Sequence, residues 1–150
     1  MSTIEQINKA IHVDSKCEDD MSRLIIISKR NINGIEIDNG HFGLICAHST
    51  GIAFNLWTDV NVNFDYNHGN FTDIYTKDRF YKWRTCSFRK LILEASEKEF
   101  LNIKEKLIRD KIPFGVCGEI YFGDCEVALV VFPLTKEETP KYIKFLKVWK

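Results

Sequence analysis

The stretch Gly40-His-Phe-Gly-Leu-Ile-Cys-Ala-His-Ser-Thr-Gly-Ile-Ala-Phe-Asn-Leu-Trp57 decides the fold of this chain. It follows a short apolar run at residues 24–28 and a polar loop that contains Gly34 and Asp38. An apolar strand, a turn and a helix form one half of a β-α unit. Asp38 or Asn39 is suited to cap the helix, and the N–H groups at its start suit an anion or a polarised carbonyl.

Small residues recur along this helix, which predicts that it packs closely on a sheet. They are Gly43, Ala47, Gly51 and Ala53. The run at residues 24–28 shows no alternation of apolar and polar positions, as is typical of a strand covered on both faces. The remaining elements are expected to build a scaffold around this strand and helix.

The bulk composition bounds the class of protein. One hundred and fifty residues suffice for one domain whose core needs no disulfide or metal. The formal net charge is zero, so nucleic acid or an anionic membrane can be bound only through a local patch. The longest apolar runs, residues 24–27 and 127–133, are too short to span a bilayer, and no signal pattern opens the chain. These features predict a cytoplasmic protein without membrane association.

The five cysteines predict neither a disulfide framework nor a metal site. They are odd in number, scattered and without a C-x-x-C pair. In Cys46-Ala-His48 the two reactive side chains point to different sides of a helix, which disfavours metal ligation and a cysteine–histidine nucleophile. We therefore predict no metal and no cofactor.

The N-terminal half contains two segments that lie outside the predicted β-α unit. Residues 1–22 are predicted to be an extension with a short helix over residues 2–13, and residues 58–85 to be an irregular insertion. The insertion mixes aromatic and basic residues, which favours anchoring to the core, with single-stranded nucleic acid as the alternative. Residues 29–39 are predicted to be a loop, and residues 23–150 to form one domain.

Capping boxes mark the C-terminal half. Ser96-Glu-Lys-Glu99 opens a helix with an apolar face, and Thr135-Lys-Glu-Glu138 precedes a final helix. Strands are predicted at residues 88–94, 114–121 and 126–132, with a tight turn at residues 122–125. Because that turn is too short for a parallel crossover, we predict a three-layer α/β sandwich on a small mixed β-sheet. The helix that starts at the Ser96–Glu99 capping box is predicted to hold four residues on its apolar face: Phe100, Ile103, Leu107 and Ile108.

The final helix is expected to carry a basic stripe. It consists of Lys141, Lys144, Lys147 and Lys150. A solvated face is the favoured interpretation, and a track for tRNA is the alternative.

Several of these sequence segments, and their order along the chain, resemble those of the second peptidyl-tRNA hydrolase family, the archaeal and eukaryotic type. The family's helix K-[IV]-x-x-Q-x-[AC]-H-[AS], which follows a glycine–lysine turn, corresponds to Gly40-His-Phe-Gly-Leu-Ile-Cys-Ala-His-Ser49. A tryptophan-containing helix follows in the family. Its K-[IV]-[VI]-L strand corresponds to Arg89-Lys-Leu-Ile-Leu93, and its G-[IL]-P helix end to Lys111-Ile-Pro113. The resemblance covers residues 23–150 and implies that family's mixed-sheet sandwich, with cleavage of the ester between peptide and tRNA as the ancestral activity.

The polar groups that the resemblance places in the site are changed in this sequence. The lysine at the helix start is His41, which can act as acid or base near neutral pH but carries no constant positive charge. The glutamine one turn further on is Ile45. The segment that carries the water-orienting aspartate is shorter here, with Glu119 as its replacement and Asp124 as the second choice.

His41 and Glu119 are the candidate catalytic residues. Burial of Glu119 beside His41 would raise its pKa and suit it to acid–base work, and a solvent-facing position is the alternative for each. Lys29 and Arg30 end the first strand, where an α/β sheet presents its ligand crevice, and could hold a phosphate. The further candidate binding residues are Gly40, His48 and Asp124, although a buried structural role is the favoured interpretation of His48.

Two functions follow from the resemblance. The favoured one is a diverged peptidyl-tRNA hydrolase II-like protein that binds tRNA, a nucleotide or a partner protein through the ancestral cleft, with hydrolysis weakened or lost. The alternative is an active esterase that cleaves peptidyl-tRNA or a related ester with His41 and Glu119. A third possible function is that of an adaptor protein from a virus or mobile element. If the protein forms an oligomer, we expect a homodimer.

Overall fold

A computed structural model of the protein describes residues 21–59, 74–123 and 125–150. The predicted helix over residues 2–13 and candidate residue Asp124 lie outside the described residues. The elements in chain order are β1 (Arg23–Lys29), β2 (Asn31–Ile32), β3 (Ile35–Glu36), α1 (Asn39–Asp59), α2 (Ile74–Thr85), β4 (Arg89–Ala95), α3 (Glu97–Arg109), β5 (Phe114–Glu119), a 3₁₀ turn (Ile120–Phe122), β6 (Cys125–Leu134), α4 (Lys141–Lys144) and β7 (Lys147–Val148).

A mixed five-stranded sheet with the order β5-β6-β1-β4-β7 forms the centre of the domain. β1 pairs in parallel with β4 and antiparallel with β6, and β5 pairs antiparallel with β6. The tight connection between β5 and β6 therefore joins antiparallel neighbours, as expected. The α/β class and the mixed sheet are confirmed.

Helices cover both faces of this sheet, because β1 contributes alternate side chains to two separate cores. Leu24 and Ile26 belong to the core beneath α1 and α2, together with Phe80 and Trp83. Ile25 and Ile27 belong to the opposite core, which α3 and α4 cover. Every residue from 24 to 29 is buried, which explains the lack of alternation in the sequence.

The strands β1, β4 and β5 point in the same direction and end at one edge of the sheet, the carboxyl edge. Both α1 and α3 begin at this edge. The capping box of α3 is formed, with Ser96 and Glu99 each accepting a backbone N–H from the other. Crevices for ligands in α/β sheets lie at such an edge, so the fold places the first-strand candidates where the sequence expects them.

The small residues of α1 do not explain its close contact with the sheet. Gly43, Ala47 and Gly51 are exposed, and only Ala53 is buried, so the prediction for the other three is wrong. The close approach comes from Gly115 in β5. A Cβ atom there would lie 2.6 Å from Leu56 Cδ1 of α1.

Three local predictions are wrong in detail. The predicted loop over residues 29–39 contains the β2–β3 hairpin, whose turn residues Asn33 and Gly34 have φ of 52° and 80°. Ile108 is 46% exposed and does not belong to the apolar face of α3. The final helix ends at Lys144, so the basic stripe is divided between α4, β7 and the last residue.

The described part of the predicted insertion is regular. Residues 74–85 form α2, and Phe80 and Trp83 are completely buried. Trp83 Nε1 also donates to the carbonyl of Arg89 at 2.7 Å. Aromatic anchoring to the core, the favoured interpretation, holds for this part of the insertion. Among the described residues, no helix combines the length and apolarity that crossing a membrane requires.

Candidate functional site

His41 lies in the first turn of α1 and is held by Asp38. The backbone N–H of His41 donates to Asp38 Oδ1 at 2.7 Å, and His41 Nδ1 lies 3.1 Å from Asp38 Oδ2. The hydrogen bond from the His41 backbone is the main cause of the lowered pKa of Asp38. Asp38 therefore caps the helix, and its carboxylate already occupies the position that the sequence offered to an external anion.

Two aromatic side chains pack against the ring of His41. The ring centroids of His41 and Tyr121 are 4.3 Å apart, and those of His41 and Phe122 are 5.6 Å apart. Phe122 is buried, whereas Tyr121 is 68% exposed. The start of α1 thus presents a histidine–tyrosine ring pair, with planes tilted by 32° and the tyrosine exposed to solvent.

Glu119 is paired with His48. Glu119 Oε2 lies 3.9 Å from His48 Nε2, and Glu119 Oε1 accepts the backbone N–H of Tyr121 at 3.3 Å. No hydrogen bond or ion pair within the described ranges joins Glu119 to His41, so their expected direct pairing is absent. The two are connected through Tyr121, whose ring contacts the ring of His41 and whose backbone N–H donates to Glu119.

His48 lies on the solvent side of α1, where it borders a groove. Its side chain is 57% exposed, so the interpretation as a buried histidine is wrong. The groove has a volume of about 440 Å³ and runs between α1 and β5. Gly51 and Gly118 line it beside His48 and Glu119, and the absence of side chains there leaves the space.

Lys29 is neutralised within the protein. It is buried, and its Nζ lies 3.5 Å from Glu97 Oε1 and 4.6 Å from the centre of the Phe100 ring. A phosphate approaching Lys29 would therefore meet the Glu97 carboxylate.

Arg30 is also held by partners from distant parts of the chain. Its guanidinium lies 2.7 Å from Glu94 Oε2, donates to the carbonyl of Lys150 at 2.9 Å and stacks 4.0 Å from the ring centre of Trp149. The crevice beside it, of about 530 Å³, also carries Glu97 and Glu99. The geometry does not favour a phosphate at this position, because carboxylates surround the two basic residues.

The other positions singled out by the sequence differ in their surroundings. Gly40 lies beside the cap, where an added Cβ would be 3.3 Å from Asp38 Oδ1. Ile45 is completely buried and belongs to the core beneath α1. It offers no polar group to the site.

The thiols near the groove do not form a reactive centre. Burial raises the pKa of Cys46 and of Cys117, which disfavours the thiolate in each case. Within the described ranges, no group of three or more histidine, cysteine and carboxylate side chains could hold a metal ion.

Sequence reasoning did not assign Tyr121, Phe42 or Trp149 to the surroundings of the site. Phe42 and Trp149 stack with ring centroids 3.7 Å apart, across more than a hundred residues of chain. Only the position of Tyr121, two residues after Glu119, signals its place; nothing local marks Trp149. No family model matches this sequence, and no curated protein matches it significantly.

Proposed function

We propose that this chain is a diverged peptidyl-tRNA hydrolase II-like protein that binds the single-stranded 3′ end of tRNA at the start of α1, with hydrolysis weakened or lost. The order of elements supports the proposal. A strand, a helix, a tryptophan-containing helix, a strand and a capped helix follow one another in the chain, as the resemblance expects. The mixed-sheet sandwich of that family is part of the same proposal.

The contact between the rings of His41 and Tyr121, whose planes are tilted by 32°, is the observation that carries the proposal. Aromatic rings with one free face bind nucleic-acid bases by stacking, at about 1–3 kcal/mol per base, without selecting one base strongly. Tyr121 offers such a face, and His41 supports the ring from behind at 4.3 Å. A base of the tRNA 3′ end would stack on the exposed ring of Tyr121.

The loss of hydrolysis is supported by the partners of the polar groups. Asp38 holds His41, His48 holds Glu119, and Ile45 brings no polar atom to the site. An efficient hydrolase needs a base within about 3 Å of the attacking water and a donor at the developing oxyanion. Among these three positions, the internal partners of His41 and Glu119 and the apolar side chain of Ile45 leave fewer polar groups for these tasks than the resemblance implies.

The experiment measures two quantities on one set of variants. Binding of deacylated tRNA is followed by fluorescence anisotropy, and release of tRNA from an N-blocked aminoacyl-tRNA is followed by gel. Tyr121→Ala should weaken binding roughly 10-fold or more, the equivalent of 1.4 kcal/mol. Phe145→Ala is the matched control, because Phe145 is an even more exposed aromatic and the ring contacts of His41 in the described part of the chain are with Tyr121 and Phe122. Equal affinities of the parent and Tyr121→Ala would refute the proposal.

An active esterase is the second candidate, and the Asp38–His41 pair is the observation that favours it. A carboxylate on Nδ1 orients a histidine ring and leaves Nε2 for a water molecule. If this candidate is correct, His41→Ala and Glu119→Gln should each cut the release of tRNA by roughly 100-fold. Rates within a few-fold of the parent would remove these residues from the catalytic role.

A further inference from the structure

Glu119 has no lysine or arginine partner within the described ranges, although its side chain is only 17% exposed. Two other acidic residues of the described ranges are half-buried, and each of them pairs with a lysine or an arginine. Those pairs are Glu94–Arg30 and Glu126–Lys104. Glu119 instead faces Nε2 of His48 at 3.9 Å, and the His48 side chain is 57% exposed. A pair of this length with an exposed imidazole offsets little of the cost of burying a carboxylate.

The Glu119 carboxylate borders the groove between α1 and β5, which we name the α1–β5 groove. Its volume is about 440 Å³, and among the described residues no lysine or arginine lines it. Ala47 and Ile52 of α1 and the Cys117 thiol of β5 form an apolar wall. Asn55, two helical turns after His48, adds an uncharged amide. The groove therefore combines a single negative charge with an apolar wall.

A primary ammonium group with an apolar substituent fits this combination. The ammonium donates charge-assisted hydrogen bonds to a carboxylate, and the substituent is removed from water on the apolar wall. A phosphate or a carboxylate is disfavoured, because Glu119 repels it. A divalent metal ion needs several ligands, and the described residues contain no group of three or more histidine, cysteine and carboxylate side chains that could supply them.

We propose that the α1–β5 groove binds the α-ammonium group of an aminoacyl residue, with the ammonium on Glu119 and the side chain on Ala47 and Ile52. The groove lies beside the proposed 3′-end site, because Glu119 accepts the backbone N–H of Tyr121 at 3.3 Å. The carrier of the aminoacyl group is either a small amino-acid ester or amide, or the end of an aminoacyl-tRNA.

The inference goes beyond the proposed function. A deacylated tRNA has no ammonium group, and the residue that is esterified in a peptidyl-tRNA is N-acylated and has none either. For the tRNA carrier alone, the inference also rests on the proposed function.

The first test uses two small probes that differ in the charge of the amine. Leucinamide carries the ammonium group and an apolar side chain, and N-acetyl-leucinamide keeps the side chain without the charge. NMR titrations at neutral pH should give a millimolar Kd for leucinamide and roughly 10-fold or more weaker binding of the acetylated probe, because a charge-assisted hydrogen bond is lost. Equal affinities, or no saturable binding of leucinamide, would overturn the inference.

Two carboxamide variants test whether Glu119 provides the charge. Glu119→Gln keeps the size of the side chain, so the preference for leucinamide over the acetylated probe should fall to within about 2-fold. Glu105→Gln removes the same charge at an exposed position of α3 outside the groove and should retain the preference. A preference that persists in Glu119→Gln, or that disappears equally in both variants, would contradict the assignment.

Two glycine variants of α1 test whether the probe lies in the groove. A Cβ atom at Gly51 or at Gly43 meets no atom within 4 Å, and leucine favours a helix more than glycine does, so both leucine variants should fold. Gly51→Leu fills the α1–β5 groove and should weaken leucinamide binding roughly 10-fold or more, whereas Gly43→Leu lies outside it and should stay within about 2-fold of the parent. Circular dichroism checks the fold, and unchanged binding in Gly51→Leu would overturn the inference.

The carrier is identified with tRNA that is joined to leucine by an amide, a linkage that resists hydrolysis. If aminoacyl-tRNA is the carrier, this leucyl-tRNA should bind roughly 10-fold or more tightly than its N-acetyl derivative, and Glu119→Gln should remove the difference. Equal affinities of the two tRNAs, with the preference for leucinamide intact, would assign the groove to small amino-acid derivatives.

These tests separate the inference from the proposed function. If Tyr121→Ala loses tRNA binding while the two leucine probes bind equally, the inference is wrong and the proposed function stands. If leucinamide binds through Glu119 while the parent protein binds no tRNA, the inference stands and the proposed function is wrong. A parent protein that binds neither tRNA nor leucinamide would refute both.

Discussion

His41 is held by a partner that lies three residues before it in the chain. The sequence predicts polar chemistry for the residue at the helix start, and it offers Asp38 or Asn39 only as a cap. One carboxylate performs both tasks, because Oδ1 accepts the backbone N–H and Oδ2 faces the ring. The protein itself thus supplies the negative charge that a helix N-terminus attracts.

Replacement of Asp38 tests this double role at the scale of one residue. Asp38→Ala should lower the urea midpoint of unfolding, because α1 loses its cap, whereas Asp38→Asn keeps a capping oxygen and should change it less. The lowered pKa of Asp38 means that the charge stabilises the fold above the unfolded pKa of about 3.9 and that this contribution disappears as pH falls through the folded value.

Urea titrations between pH 7 and pH 2 measure this dependence. The difference in urea midpoint between the parent and Asp38→Ala should be largest at neutral pH and should decrease in acid. A difference in midpoint that is constant over this pH range would show that the ionised carboxylate contributes nothing to stability.

The packing of α1 on β5 is decided by a glycine of the strand. Ile52 and Leu56 of α1 lie directly over Gly115, and Cβ there would be 2.8 Å from Ile52 Cγ2. Small residues on a helix do not reveal which face meets a sheet, because a helix exposes small residues as readily as it buries them. The periodicity of the buried residues Ile45, Ser49, Ala53 and Leu56 marks the true face.

Two glycine-to-alanine variants test this interface. Gly115→Ala should lower the free energy of unfolding by about 1–3 kcal/mol, since the new methyl group overlaps α1. Gly43→Ala places its methyl group in open space on α1 and should raise stability by up to about 1 kcal/mol through helix propensity. Urea denaturation measures both, and a neutral or stabilising Gly115→Ala would contradict the interpretation of the interface.

At the scale of the whole molecule, Trp149 joins the sheet to α1. Trp149 donates its backbone N–H to Ile92 in β4, and its ring lies between Phe42 of α1 and the guanidinium of Arg30. This stack connects the β7 edge of the sheet to the first turn of α1. The same turn carries His41, so the stack lies next to the candidate site.

Variants of Trp149 test the stack. Trp149→Ala should lower the free energy of unfolding by about 2 kcal/mol through lost aromatic contact. Trp149→Phe keeps a ring and removes the buried Nε1–H, which has no partner among the described residues, so its cost should be below about 1 kcal/mol. Phe145→Ala, at an exposed ring, should stay within about 0.5 kcal/mol of the parent. Similar losses in Trp149→Ala and Phe145→Ala would show that the stack is unimportant.

The sequence by itself determined the elements whose signals are local. An apolar run without alternation marked β1, the Ser96–Glu99 capping box marked α3, and a short turn required antiparallel β5 and β6. Each signal depends on residues within a few positions of one another, where hydrogen bonds and periodicity decide the backbone.

Only the tertiary structure decided which side chains meet. The pairing of Glu119 with His48, the clamp of Glu94 and Trp149 on Arg30, and the addition of β7 to the sheet join residues far apart in the chain. Such contacts depend on strand register and on the angle at which α1 crosses β5, and Gly115 sets the closeness of that approach. No local pattern encodes these relations, because each of them is satisfied only when the whole sheet has formed.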